Sequence, residues 1–395
     1  MHMKRIIIIL IAAAAIISGY LFWKNSEFGR QDSGIEAPAV LNPEEPGDST
    51  AGEDRTGLFL DVPENFIFDT FAENLPGARV MALDDFGNMW VSRTRYGAIS
   101  LVEMRDGRGA VQGDILRNLD GPHGLVFDPE SPSMLYYAET GKISRLPAYS
   151  DGSPEKIADL PGGGLHSTRT LLFGQDGRLY VSIGSTCDVC NETNQQRAKI
   201  FSMNKDGSDF REEVVGLRNS VFMAIDPATG KIWATEMGVD VLGDDLPPDE
   251  INIIERGNDY GWPNCFGKNV HDDRFDPQKR VSCDGKTPSH IDIPAHSAPL
   301  GLAFIPKEEW PEDFQDDLLV AFHGSIARSQ PTGYKIVRMK LDENRNFISQ
   351  EDFITGWLKN GEVSGRPAGI ITQPGGIAYI SDDRAGVVYK LEYRK

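Results

Sequence analysis

From residue 76 onward the apolar positions fall in short alternating runs separated by Gly, Asp and Pro. Period-two alternation between turn residues is the mark of β-strands joined by tight connections. No long helical periodicity interrupts it. One unit recurs: an apolar strand, a turn often carrying Asp-Gly, a strand rich in Trp or Tyr, and a third strand after a loop. Copies start at Arg79, Gly124, Leu165, Val221, Gly301 and Gly369. Six copies give a period of roughly 55 residues, a little above that of a propeller blade and with room for loops. Radial repetition also removes the sheet edges such units would otherwise expose. The pattern predicts an all-β, six-bladed β-propeller over 58–395. A β-sandwich would not repeat one signature so regularly. Residues 258–295 are too many for a plain turn and read as an insertion between the fourth and fifth blades.

The N-terminal residues follow other rules. Lys4 and Arg5 precede an unbroken apolar run, Ile6 to Trp23. At about 1.5 Å per residue such a helix just crosses a bilayer core, and the preceding charges favour a cytoplasmic N-terminus. The expectation for 1–25 is an uncleaved signal-anchor rather than a signal peptide, because no small-x-small site follows the run. A buried soluble helix is the alternative reading; the run has no polar face to turn to water. Residues 26–57 hold eight acidic and two basic residues and three prolines. Such composition buries too little surface to offset chain entropy, so a disordered acidic linker is expected. The propeller is then expected to be membrane-anchored in the periplasm or outside the cell.

Charge narrows the partners. The formal net charge is −19, which argues against nucleic acid as a partner, since phosphate binding needs a basic surface. Export makes disulfides the default for the four cysteines. Cys265 with Cys283 would close a loop inside the insertion. Cys187-Asp-Val-Cys190 admits a structural disulfide, a zinc site, which would need further ligands such as Cys265 and Cys283, or a redox motif, which lacks a thioredoxin-like βαβ context; the disulfide is preferred.

Antiparallel order within a blade puts the start of its first strand and the end of its second on one face. Before first strands stand His123, His166 with Arg169, Arg218 with Asn219, His296 and Arg366. After second strands stand Arg93 and Arg95, Glu139, Ser185, Gly238 with Asp240, His323 with Arg328, and Asp382 with Arg384. Any one of these could be a structural histidine or a surface ion pair of little energy. Together they make a cationic mouth on an acidic protein. Arginine forks there would suit a ligand with several carboxylates or phosphates.

Several stretches are similar to the soluble quinoprotein sugar dehydrogenases: His166 before FGQDGRLYVSIG, Gly216-Leu-Arg218-Asn219 before MAIDPATGKIWATEMG, and Asp249–Glu255 followed by GNDYGWP. GSTCDVCNE, GDDLPPDE, HSAPLGLAF and HGSIARSQPTGYK look most like the L-sorbosone dehydrogenase branch. The resemblance covers roughly residues 65–395. It implies a six-bladed propeller binding pyrroloquinoline quinone (PQQ) and Ca²⁺. It also implies oxidation of a sugar-like alcohol or aldehyde hydrate, with electrons passed on to an unidentified acceptor. On that resemblance His166 is the general base, and Arg218 and Asn219 contact the cofactor, Arg218 also stabilising charge on the quinone oxygen. The carbonyls of Gly238 and Val239 would hold the Ca²⁺, and Arg328 and Arg366 lie in stretches with basic cofactor contacts. The chain departs from the family pattern at Ser185, where Asp is frequent and would orient the histidine. Val239 stands where Pro is common, and Arg169 falls one residue early. Two other readings of the fold are a metal-dependent lactonase, which needs acidic or amide ligands converging on the channel, and a non-catalytic binding propeller.

Overall fold

The computed structural model describes residues 51–325 and 327–395. The expected membrane segment and most of the acidic linker lie outside the described residues. No helix among the described residues is long and apolar enough to cross a membrane.

Six antiparallel blades are present, as the repeat predicts. Their first strands are Ala78–Leu83, Leu125–Asp128, Leu171–Phe173, Ser220–Ile225, Pro299–Phe304 and Pro367–Gln373. Neighbouring first strands pack on one another all the way round, including the sixth on the first. Each blade is thus covered on both faces, and its second strand is mostly buried. In Met89–Arg93, Trp90 points into one inter-blade core while Met89 and Val91 point into the next. Two-sided burial explains why these strands carry apolar side chains on both faces, beyond the alternation of a strand with one wet face.

Close packing at the axis rests on small residues. A Cβ on Gly124 would stand 2.5 Å from the Leu171 nitrogen, on Gly301 2.5 Å from the Ala368 oxygen, and on Gly369 2.6 Å from the Arg79 oxygen. In the first, fourth, fifth and sixth blades the first strand bulges where it meets the second. Hydroxyls at one repeated position of the second strand accept the N–H groups the bulge leaves over: Ser92 from Val80 (3.0 Å), Thr235 from Phe222 (3.3 Å) and Ser381 from Gly369 (2.8 Å). Buried backbone donors are rarely left unpaired, so a hydroxyl stands two residues after the aromatic of the second strand in Trp90-Val-Ser92, Trp233-Ala-Thr235 and Tyr379-Ile-Ser381.

Two features differ from the sequence reading. Each blade has a fourth, outer strand that the three-strand unit did not reveal. In the fourth blade it is Ile291–Ile293, the end of the stretch read as insertion; the rest carries a hairpin, Cys265–Phe266 with Val270–His271. The sixth blade is closed by an N-terminal strand, Phe66–Ala72, on Val387–Tyr393. Glu53–Asp54, read as linker, adds a short parallel strand there.

Candidate active site

His166 lies on the loop entering the third blade. Its Nδ1 is 2.7 Å from Ser185 Oγ, and that hydroxyl is 2.7 Å from the Cys187 carbonyl. The carbonyl can only accept, so the single hydroxyl hydrogen goes there. Ser185 therefore accepts from Nδ1–H, and Nε2 keeps its lone pair. Ser185, which lacks the family's carboxylate, thus still orients the ring. Burial, with help from the Arg218 charge, pushes His166 down to about 3, so the imidazole is a neutral base at ordinary pH. Gly184 makes the approach possible: a Cβ there would be 2.6 Å from that of His166.

Two arginines brace this loop. Arg169 is fully buried and donates to the carbonyls of Pro161, His166 and Thr168. Arg197 donates to the Gly162, Gly163 and Gly184 carbonyls. The glycine run is therefore a carbonyl cradle for a guanidinium, and Arg169 is a brace, not part of the cationic mouth.

Arg218 enters from the loop before the fourth blade. It is held by the Asp188 carboxylate and carbonyl and by the Met237 carbonyl (3.0 Å). Its neighbour Asn219 gives its backbone N–H to buried Glu236. Gly238 N–H goes to Asp249 Oδ1 at 2.9 Å. Burial raises Glu236 to about 8 and Asp249 to about 7. His166, Arg218, Asn219 and Gly238, with Asp240 and His296, line one cavity of about 240 Å³. Among the described residues the Gly238 and Val239 carbonyls accept no hydrogen bond.

The remaining expected residues lie outside that cavity. Arg366 is mostly buried; among the described residues its one hydrogen bond through the guanidinium is Nε to the His323 carbonyl (3.3 Å), and it faces the Tyr334 ring. His323 pairs with Asp383 at 2.9 Å, which Arg79 also holds at 2.6 Å. Arg328 is bound to the Asp244 and Gln330 carbonyls and to Asp245 (2.9 Å), so it braces the 243–245 loop. His123 is wholly buried against Phe222. Cys187 pairs with Cys190 and Cys265 with Cys283, leaving no free thiol and no zinc site there.

The TrAA12-like family profile matches residues 60–394. The chain belongs to that family. An uncharacterized protein of Borreliella burgdorferi is 36% identical over 237 residues, 58% of this chain and 62% of that one. Quinoprotein glucose dehydrogenase B of Acinetobacter calcoaceticus is 23% identical over 53% of this chain and 57% of its own. The alignments thus span about three fifths of these curated relatives. Two solved structures share the fold: the calcium structure of the Trichoderma reesei carbohydrate-active enzyme of family AA12 has a TM-score of 0.73 at 18% identity, over 88% of this chain and 98% of that one. The holo PQQ domain of Coprinopsis cinerea pyranose dehydrogenase gives 0.72 at 18%, over 87% and 100%. The similarity drawn from the motifs is borne out at the level of family. Within this TrAA12-like chain, sequence reasoning missed Asp188, Arg197 and the role of the Cys187 carbonyl. The signal available was the CxxC two residues after Ser185.

Proposed function

We propose that the chain is a quinoprotein oxidoreductase that oxidises a sugar-like alcohol or aldehyde hydrate with PQQ. The observation that carries this is a neutral His166 with its Nε2 lone pair directed by Ser185, sharing a cavity with Arg218. The donor set fits the cofactor. Arg218 and Asn219 would contact it, and Arg366, a half-buried cation that among the described residues forms no direct salt bridge and one guanidinium hydrogen bond, to the His323 carbonyl, has donors left for a carboxylate. Arg328 is already engaged and would serve the cofactor indirectly. The unengaged Gly238 and Val239 carbonyls suit Ca²⁺, a hard ion that takes oxygen ligands. Bound there, the quinone would supply a two-electron sink for the hydride of the substrate carbon. His166 Nε2 would take the hydroxyl proton as general base. Arg218 would stabilise negative charge near it.

Relatives named as glucose and pyranose dehydrogenases support a sugar as substrate. The two disulfides support an extracytoplasmic compartment, and the run Ile6–Trp23 supports a membrane anchor there. The electron acceptor is a separate partner. The lactonase reading has less support, because Glu236 and Asp249 already engage both carboxylate oxygens with protein donors.

The test is reconstitution of the purified protein with PQQ and Ca²⁺, followed by dye reduction with aldoses and aldehydes. Turnover dependent on both additions is expected. Failure of turnover with a folded protein removes the reading, and lactone hydrolysis without quinone would favour the alternative.

A further inference from the structure

The loop after the second strand of the third blade touches both reactive side chains. Cys187 and Cys190 close a four-residue disulfide ring. The Cys187 carbonyl takes the Ser185 hydroxyl hydrogen, which leaves Ser185 Oγ to accept from His166 Nδ1. From the same ring, Asp188 holds Arg218 by its carbonyl (2.9 Å) and its carboxylate. The ring is also tied back to the loops that carry these groups. Ser185 N–H meets the Arg218 carbonyl at 2.7 Å, and Leu165 N–H meets the Thr186 carbonyl at 2.8 Å. Ser185 is fully buried, so water does not compete for its hydroxyl.

We infer that Ser185 and the Cys187–Cys190 ring form one positioning device that sets the tautomer of His166 and the place of Arg218. A serine seated on a fixed carbonyl here does what a carboxylate would do, without adding a negative charge beside the base. The difference has a chemical consequence. A carboxylate would stabilise imidazolium and raise the histidine pKa, whereas a serine leaves the ring neutral and a weaker base. The ring matters because the carbonyl must stay aimed. In a chain with reduced thiols the Cys187–Cys190 segment regains backbone freedom, and both contacts loosen together.

This inference rests on the proposed oxidoreductase, and its first readout does not need the cofactor. In the apoprotein, ¹⁵N NMR of the histidines should show His166 as a single Nδ1-protonated tautomer. Ser185→Ala should give a mixture of tautomers, and Ser185→Asp should restore the single tautomer and move the His166 titration to higher pH. With quinone and Ca²⁺ bound, Ser185→Ala should lower kcat by at least about tenfold, with KM and quinone affinity within about twofold. Asp188→Asn should instead weaken quinone binding through Arg218. A Ser185→Ala protein that keeps the wild-type tautomer overturns the inference, whether or not the enzyme turns over. If the variant does not fold, mild reduction of the wild-type ring, followed by circular dichroism, is the second measurement. Loss of the single tautomer in a still-folded protein supports the inference, and an unchanged tautomer on reduction overturns it. Absence of quinone turnover with the expected tautomers would count against the function alone.

Discussion

At the scale of single residues, the site depends on keeping imidazole and guanidinium apart in role. His166 stays neutral because burial and the Arg218 charge both oppose its protonation. Its folded pKa, about 3, lies well below the ordinary value of about 6.5. The base is therefore available throughout the neutral range and is lost only as pH falls toward 3. A pH profile of kcat/KM should be flat on its acid side from pH 7 to about 5; an acid limb near 6.5 would contradict the assignment. His123 and His323 are also buried and held neutral, His323 at about 4. Their depressed values mean that the stability they contribute is fully present above about pH 6.5 and falls as pH drops toward 4, because the unfolded chain binds protons that the folded one excludes. Glu236 and Asp249, raised by burial, act in the opposite direction over the same window. The histidine contribution is therefore read as a difference: between about pH 6.5 and 4 the urea midpoint of His323→Gln should lose less, or gain more, than that of the wild type.

At the scale of elements, the repeat works through its first two strands. The glycine at the head of the first strand and the hydroxyl within the second are two halves of one joint. Gly369→Ala would drive a Cβ into the Arg79 carbonyl at 2.6 Å, and the backbone of neither blade can yield cheaply. A loss of about 2–3 kcal/mol is expected, measured by denaturant unfolding. Ser381→Ala strands a buried donor at Gly369 and should cost about 1–2 kcal/mol. These two strands were legible in the sequence because both faces are buried and the joint needs particular residues. The fourth strands were not. Arg108–Leu116, for example, is exposed or half-buried along its whole length, so little constrains its residue types. Site residues divided in the same way. The rule that first-strand starts and second-strand ends share a face placed His166 and Arg218 together correctly. It could not tell that Arg169 turns inward onto carbonyls, nor that Ser185 gains its orienting power from a carbonyl two residues on.

At the scale of the whole molecule, closure links the two ends of the propeller. Phe66 pairs with Tyr393 and Ala72 with Val388, a contact between residues more than three hundred apart in sequence. No local pattern signals such a pairing, which is why the closing strand escaped the repeat. Removing residues up to 73 should leave the sixth blade with an open edge and abolish cooperative unfolding, seen as a broad transition by circular dichroism; a chain from residue 51 should unfold in one step. The Cys265–Cys283 bridge restrains the insertion over 18 residues of sequence separation, and replacing both cysteines by Ala should cost about 3 kcal/mol.

The most direct test of the proposed chemistry is a spectroscopic titration of the apoprotein with PQQ in the presence of Ca²⁺, followed by an aldose, in wild type and His166→Ala. The account predicts that both proteins bind the quinone with similar affinity. Only the wild type should reduce it when sugar is added. Failure of the wild type to bind quinone, or equal reduction by the variant, would contradict it.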